Sequence, residues 1–359
     1  MEYAESERGR RLPVKSRRFP RARVPEGEVG HYHVISRVNG RARMLTADRR
    51  EVFRDLLRRV AGFCGVEVLT FCFMENHFHL LVRVPGAVGE LTDDEVLRRA
   101  ALLYGDGKGR QPLDLETVRW ALAKGGETRG KIRELLLGRM GSLPMFVKIL
   151  KQRFSVRFNR ETGRVGTLWE GPFKSVLVEP SRRMLAVVGA YIDLNPVRAG
   201  IVEDPKDYRF SGYGEAVGKG RPGEHPLLRC LVNLDALLAD GAEGNCQDDA
   251  RLDREAREYR KLLYVKAVVG SPSNKVRVEE GRLREVLAKK GGLSTAELLR
   301  CRVRYFTDGL ILGGRAYIER MRQNQPLTAS SAKRSPREMR GGDWGGLCSA
   351  RDLQKGVIS

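Results

Sequence analysis

A chain of 359 residues with 66 Lys+Arg against 45 Asp+Glu carries a formal charge of +21 and a sequence pI near 10.1. At 41% hydrophobic it can bury a sizeable core, which excludes a wholly disordered protein, and its length admits two domains or one domain with insertions. No run of about 18 uncharged apolar residues predicts a membrane-spanning helix, and no secretory pattern opens the chain.

The remaining composition suits a cytoplasmic protein with an anionic partner. The six cysteines include no CxxC pair and suit a reduced interior better than a disulfide scaffold. Nucleic acid is the leading partner for so much positive charge. The first 24 residues hold eight basic side chains against three glutamates. They predict a flexible basic arm over residues 1–27, either laid along phosphates or simply solvated.

Residues 31–38 (HYHVISRV) are rich in β-branched and aromatic types and predict a strand. Thr46 is placed to cap a helix to about residue 63, because Phe53, Leu56, Leu57, Val60 and Phe63 recur at three- and four-residue spacing. Gly65 ends it. Residues 66–73 and 77–84 read as two strands joined at Met74–Glu75–Asn76, so the run predicts an α+β domain with an antiparallel sheet. Residues 88–142 change texture. Helical patterns at Asp94–Tyr104 and Leu115–Ala123, separated by glycine- and charge-rich breaks, predict a helical insertion. A basic amphipathic helix over 143–159, a strand over 173–179 and a helix from about 181 to 194 follow, the last stopped by Pro196. Residues 226–268 and 279–323 are helical in pattern, which predicts a mainly helical C-terminal region over 219–325. Ser294 with Glu297 forms a capping box, and Gly313–Gly314 precede a basic helical segment ending near Arg322. That spacing suits either a helix-turn-helix with an accessory role on DNA or a helical cap. Residues 326–359 read as a disordered basic tail.

Four of the five histidines form two H-x-H pairs, His31/His33 and His77/His79. Alternation in a strand puts both rings of a pair on one face, where two neutral imidazoles can share a divalent cation. Histidines that merely pack in the core or on a sheet surface give the same spacing, and for His31 and His33 that reading is preferred to one in which they face the same site from an adjacent strand. Tyr191 and Asn195 stand four residues apart and share a face if the helix continues. Between the second pair and Tyr191, residues 148–174 carry seven Lys/Arg against two glutamates, interleaved with Phe154, Phe158, Trp169 and Phe173. Backbone contact and base stacking on a single strand need such a mixture, although a solvated helix over ordinary core aromatics also produces it.

The order of these motifs resembles the single-tyrosine HUH transposases, in particular the branch of REP-associated tyrosine transposases. The resemblance rests on MENHFHLLV, GTLWEGPFKS and YIDLNPVRAG, with GHYHVISRVNGR and DPKDYRFSGYGEAVG on either side, and covers roughly residues 28–218. It implies an HUH catalytic domain of ferredoxin/RRM-like type, an antiparallel sheet flanked by helices. It implies that His77, His79 and Asn195 bind Mg²⁺ or Mn²⁺ and that Tyr191 is the nucleophile. Asn195 stands where relatives often have glutamine, and Pro172 where they usually have arginine. DNA contacts are expected from Lys148, Lys151, Arg153, Arg157, Arg160, Arg164, Trp169, Lys174 and Arg198. The implied function is cleavage and rejoining of hairpin-containing single-stranded DNA through a 5′-phosphotyrosine bond, at the nucleoid, by a monomer or a homodimer. Two alternatives stand beside it: a non-catalytic nucleic-acid-binding protein with Tyr191 packed and idle, and a metal-dependent hydrolase built on the histidines.

Overall fold

The computed structural model describes residues 21–105, 113–218, 224–238, 249–264, 294–323, 335–351, 353, 357 and 358. Most of the proposed arm and residues 265–293 lie outside the described residues.

Strand β1 (Gly30–Arg37) is central because both its edges are paired. Helix α1 (Ala47–Cys64) follows and ends at Gly65, whose φ of 66° is the left-handed conformation that glycine adopts freely. Phe53, Leu57, Val60 and Phe63 are buried, so the predicted stripe is the packing face. Strands β2 (Glu67–Phe73) and β3 (His77–Val84) form the expected hairpin. The insertion is helical as predicted, with α2 (Asp93–Tyr104), α3 (Leu115–Lys124) and α4 (Gly126–Leu137) among its described residues. Helix α5 (Leu143–Thr162) leads to β4 (Lys174–Val178) and then α6 (Arg182–Asp193).

The strands β2, β3, β1 and β4 form an antiparallel sheet in that order. The α+β fold expected from the sequence is therefore present. The C-terminal region adds more than helices. Strand β5 (Ile311–Gly313) pairs parallel to β4, and β7 (Cys348–Ser349) and β6 (Arg337–Glu338) extend the sheet to seven strands.

Two expectations are corrected here. Residues 335–351 are not all disordered tail: they supply β6 and β7 and bury Trp344, Leu347 and Cys348. The apolar side chains are too sparse to make a pattern alone but fill the gap beside β5. Nor do residues 294–322 form a helix-turn-helix. The Ser294–Glu297 capping box is present, but its helix is one turn long, and β5 lies between it and the later basic helix, Arg315–Gln323.

Between α6 and the C-terminal strands lie α7 (Asn195–Arg198), α8 (Gly212–Gly218), α9 (Pro226–Leu238), α10 (Asp249–Tyr264), α11 (Thr295–Leu298) and α12 (Tyr305–Asp308). Helix α9 approaches α6 closely because Gly189 has no side chain: a Cβ there would lie 2.2 Å from Leu227. All seven residues from Val187 to Asp193 are buried, as are Met184 and Leu185. A helix buried this completely positions its polar members rigidly.

Candidate active site

The antiparallel register decides which side chains meet. Ile35 stands opposite His79 and Arg37 opposite His77, so His33 on β1 and His79 on β3 are diagonal neighbours on the same face. Their rings stack with centroids 5.1 Å apart, and His33 Nε2 lies 2.8 Å from His79 Nδ1. The other nitrogen of His33, Nδ1, lies 2.8 Å from the Phe306 carbonyl oxygen on α12. His77 has its ring centroid 5.1 Å from that of His79, and its Nδ1 is 2.6 Å from Asn76 Oδ1. His33, which the sequence favoured as a plain core or sheet-surface residue, thus belongs to the cluster. Its H-x-H partner His31 does not. His31 is buried with neither ring nitrogen hydrogen-bonded among the described residues, and burial and the nearby Arg83 bring its pKa down to about 4.

Tyr191 on α6 lies over these rings. Its centroid is 6.4 Å from His79 and 6.2 Å from His33, edge-on to both. Phe306 packs against it at 4.5 Å, and the Arg198 guanidinium stacks on its ring at 3.9 Å. The ring is only 3% exposed. Among the described residues no hydrogen bond is made by the Tyr191 hydroxyl. Helix α6 breaks at Leu194 ahead of Pro196, and Arg198 donates to the orphaned Tyr191 carbonyl at 2.6 Å and to Leu299 O at 2.8 Å.

Arg198, expected to touch DNA, is therefore committed to two carbonyls and the tyrosine ring. Asn195 opens α7, half-buried, with its side-chain nitrogen sealed and without a partner among the described residues. A half-turn of that amide puts its oxygen in the same place.

Burial sets the protonation of the cluster. It lowers the pKa of His33 and of His77 to about 4, with Arg198 acting on both and Arg37 also on His77. His79 is held well below the usual value by burial, then by His33 and His77. All three rings are neutral at neutral pH, the form that can ligate a cation. Their Nε2 atoms differ: that of His33 is used, whereas those of His77 and His79 make no hydrogen bond among the described residues. These two histidines fit a divalent cation by the chemistry of their donors. Among the described residues no group of three or more His, Cys, Asp or Glu is arranged to hold one.

The basic run behaves unevenly. Lys148 and Arg160 are exposed on α5. Arg157 pairs with Glu161 at 2.8 Å, Lys174 with Asp308 at 3.0 Å, and half-buried Arg164 lies against Met44. Arg153 donates to Leu103 O and stacks on Tyr104, tying α5 to the insertion. Trp169 is a clear correction. It is 4% exposed, wedged among Phe53, Phe78 and Phe154, with its indole N–H on Lys151 O. No base can stack on it. Phe154, Phe158 and Phe173 are buried too, so the interleaved aromatics are core. The surviving basic surface is an open groove between α5 and the loop before β4, lined by Arg21, Lys148, Lys151 and Gln152. Burial and the charge of Arg21 lower Lys151 to about 8.

An unforeseen polar site adjoins the tyrosine. Asp193, fully buried two residues on, accepts from Thr70 Oγ1 at 2.9 Å and Tyr259 Oη at 2.6 Å, and from the Tyr213 amide at 3.3 Å. Burial raises its pKa to about 7 against these hydrogen bonds. An aspartate in the middle of YIDLNP carries no periodic signal of its own, and its partners come from β2, α8 and α10.

A histidine pair on β3 thus faces a tyrosine on α6. Residues 28–89 match the family model described as "Transposase IS200 like", and over that segment the chain is similar to those transposases, the family to which its motifs pointed. The segment contains both histidine pairs and ends before Tyr191. Among solved structures, one titled as a REP-associated tyrosine transposase bound to a REP hairpin is 14% identical, covering 56% of this chain and 87% of its own, with a TM-score of 0.36. A likeness at that level transfers nothing to this chain. No curated protein matches it. Among the described residues no helix is long and apolar enough to cross a membrane.

Proposed function

We propose that the chain is a transposase that cuts and rejoins hairpin-containing single-stranded DNA, with Tyr191 as nucleophile. One observation carries the reading: Tyr191 packs edge-on against His79 and His33, beside two neutral histidines whose Nε2 atoms make no hydrogen bond among the described residues. The segment matching the IS200-like model supplies those histidines.

Tyrosine's phenol ordinarily ionises near pH 10, so attack on phosphorus requires help with the negative charge. The Arg198 guanidinium on the ring face supplies a fixed positive charge beside the phenolate. In the step, the Tyr191 oxygen forms a bond to phosphorus as the phenol proton passes to solvent. The P–O3′ bond breaks, leaving a 5′-phosphotyrosine and, on protonation, a free 3′-OH. Because the ester is conserved in the covalent bond, a 3′-OH can later reverse the step and join strands without an external energy source. His77 and His79, with Asn195 as the third candidate, are the residues to hold Mg²⁺ or Mn²⁺. Such an ion polarises the scissile phosphate when bound. The exposed cations of α5 and the groove at Lys151 attract the strand, in the cytoplasm at the nucleoid, and both a monomer and a homodimer are compatible with this chemistry.

The test is cleavage of single-stranded hairpin DNA by Tyr191→Phe and by the double substitution His77→Ala/His79→Ala. Both are expected to abolish the covalent adduct; undiminished cutting by Tyr191→Phe overturns the assignment. A second reading, a non-catalytic nucleic-acid-binding protein, is favoured by one observation, the near-complete burial of the Tyr191 ring under Phe306 and Arg198. Strong salt-dependent binding of the hairpin with no adduct, in the presence of Mn²⁺, selects it.

A further inference from the structure

We infer that His33 is a positioning residue that fixes His79 in the tautomer able to bind a cation through Nε2, and that Asn76 does the same for His77. This rests on the reading of His77 and His79 as cation ligands and goes beyond it, because it assigns His33 and Asn76 a role outside the set of ligands.

The argument is one of donors and acceptors. A backbone carbonyl only accepts, so the 2.8 Å contact between His33 Nδ1 and Phe306 O places the His33 proton on Nδ1. In the neutral ring Nε2 is then an acceptor. The 2.8 Å contact between His33 Nε2 and His79 Nδ1 requires the proton of His79 on its Nδ1. The lone pair of His79 is left on Nε2. For His77 the chain is shorter. Asn76 Nδ2 donates to Arg41 O at 3.1 Å, which turns Asn76 Oδ1 toward His77. That oxygen only accepts, so at 2.6 Å His77 carries its proton on Nδ1 and its lone pair on Nε2. Two relays of different make, each anchored on a backbone carbonyl, prepare both rings alike. Free in solution, imidazole exchanges tautomers, and a ring in the wrong one must move a proton before it can ligate.

The two anchors come from distant parts of the chain. Arg41 O lies in the connection from β1 to α1, and Phe306 O lies on α12, in the C-terminal region. His79 is thereby made dependent on the C-terminal region, whereas His77 is anchored on the connection from β1 to α1.

Long-range ¹H–¹⁵N spectra of the full chain labelled at its histidines read each tautomer directly, without metal or DNA. The wild-type protein is expected to show Nδ1–H at both His77 and His79. His33→Phe is expected to release His79 into a mixture while leaving His77 unchanged, and to weaken Mn²⁺ binding, followed by titration calorimetry, by about 10–100-fold. His33→Gln, whose amide can donate to Phe306 O and accept from His79, is expected to recover most of both. A wild-type spectrum with His79 protonated at Nε2 overturns the inference, and needs no variant to fold. So does a folded His33→Phe protein with unaltered tautomer and unaltered Mn²⁺ affinity. Because the spectra need neither cleavage nor DNA, a correct tautomer with no Tyr191 adduct would count against the transposase reading alone.

Discussion

Asp193→Asn should make the stability of this protein depend more steeply on pH. Burial raises the carboxyl from 3.8 to about 7, so the folded chain holds a proton there that the unfolded chain has released. A raised folded-state pKa contributes stability that is complete below about pH 4 and is lost as pH rises through about 7. One proton retained on folding corresponds to a slope of about −1.4 kcal/mol per pH unit, amounting to about 4 kcal/mol across the window. Histidines oppose it. His31, His33, His77 and His225 are each lowered from 6.5 to about 4, so their contribution is lost as pH falls through the same range. Four groups outweigh one, and wild-type stability should rise with pH between about 4.5 and 6.5. Removing Asp193 deletes only the opposing proton. Guanidinium unfolding of both proteins at several pH values, followed by tryptophan fluorescence, should give a variant slope steeper by about 1.4 kcal/mol per pH unit. Any fixed cost of setting an amide against Tyr259 shifts the curve without changing its slope. Equal slopes would refute the assignment of a protonated carboxyl to the pocket of Thr70, Tyr213, Tyr259 and His225.

Other expectations follow from placements that differ from the sequence pattern. Trp169→Ala should cost about 3–5 kcal/mol of stability, measured by denaturant titration, because it empties a pocket among three phenylalanines; hairpin affinity per folded molecule should be unchanged. Tyr191→Phe should shift stability by less than about 0.5 kcal/mol, since the hydroxyl makes no hydrogen bond among the described residues. Lys148→Ala and Arg160→Ala should each lower the slope of log affinity against log salt on a single strand by about 0.7. Arg153→Ala, whose guanidinium is bound to Leu103 O and the face of Tyr104, should leave that slope alone and instead loosen the helical insertion, seen as faster amide exchange in α2.

What could be read from the sequence was local. Strand alternation, the apolar stripe from Phe53 to Phe63, Gly65 and Pro196 each act within a few residues, and the elements they specify formed where expected. The histidine pair showed as an H-x-H spacing, whereas Tyr191 was singled out through the resemblance carried by YIDLNPVRAG. What escaped was decided by register and by distant chain. His33 looks like His31 in sequence, and only the diagonal relation between β1 and β3 gives one of them a partner. Trp169 sits in a basic run, yet a bulky ring next to a strand edge is drawn to the nearest apolar pocket, and Phe53 and Phe78 provide it. Arg198 was read as a free cation because its acceptors, Leu299 O and Tyr191 O, are backbone atoms that no motif announces.

The same distinction bears on how Tyr191, the proposed nucleophile, is held. Tyr191 lies on a helix fixed on one side by the sheet and on the other by α9, whose approach depends on Gly189. Its ring is then enclosed by Phe306 and Arg198, and Arg198 is itself secured by Leu299, so the enclosure belongs partly to the C-terminal region. Phe306 acts twice, packing on the tyrosine through its ring and orienting His33 through its carbonyl. Moving that one residue therefore uncovers Tyr191 and unties the His79 relay together. Substituting its ring alone should separate the two effects: Phe306→Leu keeps the carbonyl, and with it the His79 tautomer, while exposing Tyr191. The variant should show faster iodination of Tyr191 by mass spectrometry with an unchanged imidazole spectrum. A change in the His79 tautomer with no gain in Tyr191 reactivity would mean that the ring, not the backbone, holds the relay.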